Sequence, residues 1–144
     1  MLCGACATKP PPIDHAERLL SLVTQVIESS SAEERRGIEA AERARFEAQP
    51  TYDNMLRVAM VRAFSAALPA ELADTRNDLH ALANGRQELT ENQRHLALIA
   101  LMMVDQRLQM GTQISDLQRQ IDSLTAIEAS LNKVEVNPPA EQSQ

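Results

Sequence analysis

Two cysteines, three histidines and a few paired carboxylates are the side chains of this 144-residue sequence whose type alone allows chemistry, so their spacing is what decides. Cys3 and Cys6 form a Cys-x-x-Cys pair. A redox pair of that kind opens a helix beside a βαβ pattern, and no such pattern follows. Zinc asks for about four ligands, and no second Cys or His pair stands at ligand spacing. A disulfide between the two would close a loop too short to remove much chain entropy. His15, His80 and His95 are too scattered for a metal or catalytic set, and His80 and His95 are expected at the surface or its boundary. Glu33-Glu34 and Glu71/Asp74 are carboxylate pairs of the sort that solvated helix faces carry routinely. No G-x-S-x-G elbow, P-loop or G-x-G-x-x-G run occurs. The sequence therefore predicts a protein that is not an enzyme, with no catalytic residue, no metal ligand and no cofactor.

A different reading suits the second cysteine. Gly4 and Ala5 stand directly ahead of Cys6, and the stretch from Leu2 resembles the end of a bacterial lipoprotein signal. In such signals the cysteine becomes the lipidated N-terminus after cleavage, which makes Cys6 the expected lipidation residue. A full signal needs a basic stretch and about 7–15 apolar residues. The five residues before Cys6 hold neither, so this reading expects an upstream start or a shortened N-terminus. Ala7-Thr8-Lys9-Pro10-Pro11-Pro12 favours extended polyproline II. Residues 1–12 thus read as a signal remnant and a proline-rich tether. The alternative is an unstructured N-terminus with two incidental cysteines. The longest apolar run, residues 96–104, has nine residues against roughly 20 needed to span a bilayer. Membrane attachment is expected through lipid only.

The elements that must position any functional side chain are helical. Aromatic residues make up 2% of the chain and there are four glycines, which leaves little material for strands and hairpins. The same scarcity removes base-stacking platforms. A net charge of −6 lacks the cation clusters that nucleic acid demands, so no nucleic-acid partner is expected. Five helices follow from periodicity. Residues 13–29 carry Ile13, Ala16, Leu19, Leu20, Val23, Val26 and Ile27 on one stripe. Ser31 and Glu34 have capping-box spacing and start a helix over 32–49. That helix shows a thin apolar stripe (Ile38, Ala41, Phe46) and a solvated face with Glu39, Arg43 and Glu47 at i,i+4. Pro50 breaks it. Residues 51–68 are apolar nearly all round, the mark of a buried central helix. Residues 69–84 begin with proline and end before Gly85, which suits a left-handed cap, with Leu72, Leu79, Leu82 and Ala83 turned inward. Thr90 and Gln93 form a second capping box, followed by helical pattern to about residue 136. Met60, Met102, Met103 and Met110 read first as core filler and second as an adaptable surface. The fold class is all-α, a small helical bundle over 13–104. A long C-terminal helix of coiled-coil character projects over 105–136, and a disordered tail spans 137–144.

The second half of that last helix has heptad spacing. Ile114 and Ile121 take a positions, while Met103, Met110, Leu117, Leu124 and Leu131 take d positions. Arg107 and Glu128 interrupt the a row, and Gly111 near the seam's start lets the two halves diverge. Isoleucine at a with leucine at d favours parallel dimers. An apolar seam running past its own domain must bury itself against something. A second copy of the chain, a return onto the first helix, or a helix of another protein all answer that need. The expected partner-binding residues are Met110, Ile114, Leu117, Ile121, Leu124 and Leu131.

Two stretches carry a family resemblance. The string from Leu117 to Leu131 (LQRQIDSLTAIEASL) is similar to the terminal helix of the QseG (YfhG-type) outer-membrane lipoproteins. Glu42-Arg43-Ala44-Arg45-Phe46, through Pro50 to Asn54-Met55-Leu56-Arg57-Val58-Ala59, resembles that family's helical-pair region. With Cys6, the resemblance covers most of the chain. It implies a lipoprotein facing the periplasm that binds the sensory, periplasmic domain of a membrane histidine kinase and modulates two-component signalling. Ala7 after the lipidated cysteine, in place of Asp, implies sorting to the outer membrane. The seam on the long helix would then dock beside helices of the kinase sensor, as helix-in-groove contacts do. Two other readings stand beside it. One is a pilotin-like secretion or envelope-assembly accessory, with a peptide groove lined by the third helix. The other is a cytoplasmic coiled-coil adaptor that starts at Met1.

Overall fold

Capping chemistry sets the first boundaries in the computed structural model, which describes residues 15–85 and 89–136. Helix α1 spans His15–Glu28 and helix α2 spans Ala32–Ala48. Between them Ser31 accepts the Glu34 N–H at 3.1 Å, and the Glu34 carboxylate takes the Ser30 and Ser31 N–H groups in return. This is the predicted capping box, and it satisfies N–H groups that a helix start leaves unpaired. Helix α3 spans Tyr52–Ser65 with Thr51 as its cap. It stops three residues before the pattern fades, and the following proline explains why. Leu68 precedes Pro69, whose ring disfavours helical backbone at the residue before it. Leu68 accordingly sits at φ −96°, ψ 141°. The N–H groups of Ala67 and Leu68 are both taken by the Glu71 carboxylate at 3.3 Å.

Helix α4 spans Pro69–Asn84. The left-handed cap expected at Gly85 is not what forms, because the residue lies at φ −70°, ψ 151°. Its N–H still closes the last turn on the Ala81 carbonyl at 2.9 Å, and the Asn84 amide donates to the His80 carbonyl at 3.0 Å. Those bonds satisfy carbonyls that a left-handed cap would otherwise serve. Helix α5 spans Glu91–Val136 and runs through Gly111 without a break. Thr90 and Gln93 cap it reciprocally, at 2.9 and 3.3 Å. The chain is all-α, with a long C-terminal helix.

The chain divides into two compact units, Met1–Asp105 and Gln106–Gln144. In the first, α3 is central, packing against α1, α2 and α4. Leu56, Ala59, Val61 and Ala63 of α3 are fully buried, together with Leu19, Val26, Leu79 and Leu82. The expected inward stripe of α1 is corrected at its edge. Leu20 and Ile27 are exposed and Leu22 is buried. The row Ala16, Leu19, Val23, Val26 has leucine on both flanks, and the core lies on the Leu22 side, where Leu22, Val26 and Val61 pack with Ile38 and Phe64. Leu68, expected inside, is exposed because α3 ends before it. Thr75 joins Leu72, Leu79 and Leu82 inside α4, its hydroxyl satisfied by the Glu71 carbonyl at 2.7 Å.

Two further corrections bear on function. The thin apolar stripe of α2 is present in part: Ile38 and Phe46 are half-buried, Ala41 is exposed, and the fully buried residue of this helix is Glu42. In the first turns of α5 only a narrow row, Gln93, Ala97, Ala100 and Val104, is buried, while Leu98, Ile99 and Met102 face outward. Nine consecutive apolar residues on a helix of 3.6 residues per turn cover its whole circumference, and a single contact face shelters less than half of that. Met102 and Met110 are exposed, so the core-filler reading holds for Met60 alone among those at the extremes of burial. Polar ties fasten the N-terminal turns of α5. Gln93 donates to Asp53 of α3 and Arg76 of α4 donates to Asp105, each at 2.5 Å.

Candidate partner-binding surface

Through residue 136 the unit beginning at Gln106 is a single helical stretch, and among its described residues no apolar side chain is buried. Met110, Ile114, Leu117, Ile121, Leu124 and Leu131, the six residues expected to bind a partner, are all more than half exposed. They share one face, spaced by four, three, four, three and seven residues. The helical repeat of 3.6 brings such positions into one row. The structure adds Ile127, also more than half exposed, on the flank of that row. It was missed in the sequence because it stands outside the a/d positions, although its spacing of three from Leu124 was there to be read. Glu128 is exposed in the a row.

Apart from Arg107 and Glu128 in the a row, the charged residues from Asp116 to Asp122 keep away from the seam. Asp116, Arg119 and Asp122 occupy the c, f and b positions, Arg119 donating to Asp116 and Gln118 donating to Asp122 at 3.1 Å. Thr112 and Thr125 bond back to the Leu108 and Ile121 carbonyls at 3.1 and 2.9 Å. The result is an apolar strip with neutral edges on a regular helix. It can take a complementary helix by burial.

The bundle carries a concave feature, a polar groove of about 850 Å³ between α1, α2 and α3. Its floor is an ion pair: Arg57 of α3 holds Glu42 of α2 through both oxygens, at 2.7 and 2.8 Å. The bond from Glu42 pushes the Arg57 guanidinium above its ordinary pKa against the opposing effect of burial. At the rim His15 Nδ1 stands 3.4 Å from Asp53, which also accepts from Gln93. Nearby, Glu39 accepts from Arg62 of α3 at 3.0 Å and from Arg43 at 2.9 Å. Burial pushes the Glu39 carboxyl up, but those two arginines outweigh it and hold it below the ordinary glutamate value. Asp78 moves the other way, raised by burial despite the attraction of Arg62. Glu42 with Arg57 and Glu39 with Arg62 pair charges across the α2–α3 contact, while Arg62 also stands 4.0 Å from Asp78 of α4.

The expected surface positions of His80 and His95 are confirmed, since both are exposed. Glu34 and Glu71 serve as helix caps. Among the described residues, no group of three His, Cys, Asp or Glu is placed to hold a metal ion, and no helix is long and apolar enough to cross a membrane. Cys3, Cys6, the proline-rich tether and the tail over 137–144 lie outside the described residues.

No known protein family, curated protein or solved structure matches the chain. What the surface can do therefore rests on its own geometry.

Proposed function

We propose that this chain is a non-catalytic helical adaptor that works by presenting the apolar seam of α5 to another protein. The observation that carries the reading is the row of six exposed residues from Met110 to Leu131 at heptad spacing. A row of that size on a solvated helix is a docking face by its chemistry, since buried contact is what stabilises large apolar side chains. The finer reading draws on the resemblance to the QseG-type lipoproteins. In it the chain is held at the outer membrane through a lipid on Cys6, faces the periplasm, and binds the periplasmic sensory domain of a membrane histidine kinase to modulate its signalling. The grooves of the bundle are lined mainly by charged and polar side chains, which gives a pilotin-like peptide groove no comparable support.

The test is capture of the kinase's periplasmic domain by the full chain and by the double variant Leu117→Asp/Leu124→Asp. Interface anchors of this kind cost about 2 kcal/mol or more each when lost, so capture is expected to weaken by well over tenfold while circular dichroism and the thermal midpoint of the bundle stay put. Undiminished capture by a folded variant removes the docking role of the seam.

A further inference from the structure

The seam of α5 is complementary to its own reversed copy, and we infer that two copies of this chain pair antiparallel along it, centred on Arg119. Relative to that residue, Leu117 and Ile121 lie two positions away, Ile114 and Leu124 five, Met110 and Glu128 nine. Reversing a second helix about this centre sets Ile114 against Leu124 of the second copy and Leu117 against its Ile121. With the two symmetric counterparts, four successive layers are each an isoleucine facing a leucine. All of these side chains are more than half exposed in the single chain. The layers fall within the unit that begins at Gln106, so the pairing needs nothing from the bundle.

Charge selects both the occupant and the direction. The positions flanking the centre are Gln118 and Gln120, amides that donate and accept and so tolerate their own likeness across an interface. Asp116, Arg119 and Asp122 lie at c, f and b, away from the contact. No like charges oppose a second identical copy there. Isoleucine at a with leucine at d by itself favours a parallel pair, and the interruptions in the a row weigh against that direction. A parallel, in-register pair sets Glu128 against Glu128. The antiparallel pair sets Glu128 against Met110 at the edge of the contact, one turn from Arg107 of the second copy, so opposite charges approach instead of like ones. A centre shifted by half a heptad towards the C-terminus would bury Glu128 against Leu117. A shift the other way carries the Leu131 layer outside this unit. The self-pair occupies the face that the proposed partner helix would take, so copy and partner exclude each other.

The experiment uses the full chain with Cys3→Ser and Cys6→Ser as parent, and adds Ile114→Cys or Leu124→Cys. Purified parent is expected to sediment at the mass of two chains. Under mild oxidation, an equimolar mixture of the two cysteine variants is expected to place about half of the chains in a disulfide-linked dimer, since Cβ atoms in facing layers come within bonding reach, while each variant alone gives almost none. Self-linking of each variant alone means a parallel pair and overturns the proposal. A parent that sediments as one chain at every concentration overturns it as well, and so does a dimeric parent whose mixed variants fail to link. No kinase is present, so the result is independent of the capture experiment.

Discussion

Glu42 is the buried residue of α2, and its carboxylate is met by the Arg57 guanidinium through two bonds of 2.7 and 2.8 Å. Side-chain exposure is 7% for Glu42 and 12% for Arg57, so both ions have left most of their water. Such a pair costs much to form and more to break on one side, because the survivor stays buried and charged. Arg57→Ala is expected to destabilise the bundle by about 2–3 kcal/mol in urea unfolding, somewhat below the usual loss because Arg45 stands 3.8 Å from the same carboxylate. Replacing both partners, Glu42→Leu with Arg57→Met, is expected to recover most of that loss, since well-packed apolar pairs often match buried ion pairs. A double variant as unstable as Arg57→Ala would mean that the site depends on shape rather than on charge pairing. This pair was not legible in the sequence. Its members stand fifteen residues apart across the Pro50 turn, and only the α2–α3 packing brings them together. Local rules saw Glu39 and Arg43 at i,i+4, a spacing that does bond, and took the whole face as solvated.

At the scale of the element, the legible parts are those that local chemistry decides. Ser31/Glu34 and Thr90/Gln93 form their capping boxes, Pro69 starts α4, and the all-round apolar pattern of α3 does mark the centre of the bundle. Which way a helix turns its edge residues is decided by its neighbours, and there the pattern was ambiguous. Leu20 and Leu22 flank the same row of α1 from opposite sides, and only the position of Val61 on α3 selects Leu22. The run over 96–104 is apolar enough to pack into the bundle on any side, whereas the contact admits only the row through Ala97, Ala100 and Val104. Glycine inside a helix tests where helix formation is coupled to the core. Gly37 in α2 and Gly111 in α5 both have room for a methyl group, with nothing within 4 Å of the added carbon. Alanine is worth about 0.5–1 kcal/mol over glycine at such positions. Gly37→Ala is expected to raise the urea midpoint of the bundle accordingly. Gly111→Ala, in the other unit, is expected to leave that midpoint unchanged while increasing helicity measured by circular dichroism. Equal shifts from both would mean that the two units unfold as one.

Across the whole molecule, the two units differ in what stabilises their helices. The amides of α3 lie in a helix packed on three sides, so their hydrogen bonds open only with the bundle. The stretch from Gln106 buries no large side chain among its described residues, and an unpacked helix in water is held by local cooperativity alone. Its regularity comes from a sequence without proline and from bonds such as Gln118 to Asp122, each worth a few tenths of a kcal/mol at an exposed site. Hydrogen exchange is therefore expected to separate the two. In dilute solution, amides over residues 113–131 should exchange about a hundredfold or more faster than those over 56–63, because an isolated helix opens at little cost while the bundle opens only against its global stability of several kcal/mol. Raising the protein concentration is expected to slow exchange over 113–131 and leave 56–63 unaffected, as the seam finds a second copy and its opening becomes linked to dissociation. Strong protection of 113–131 that persists at every dilution would mean that the seam is already covered within a single chain, and the exposed row from Met110 to Leu131 would then be unable to serve any partner.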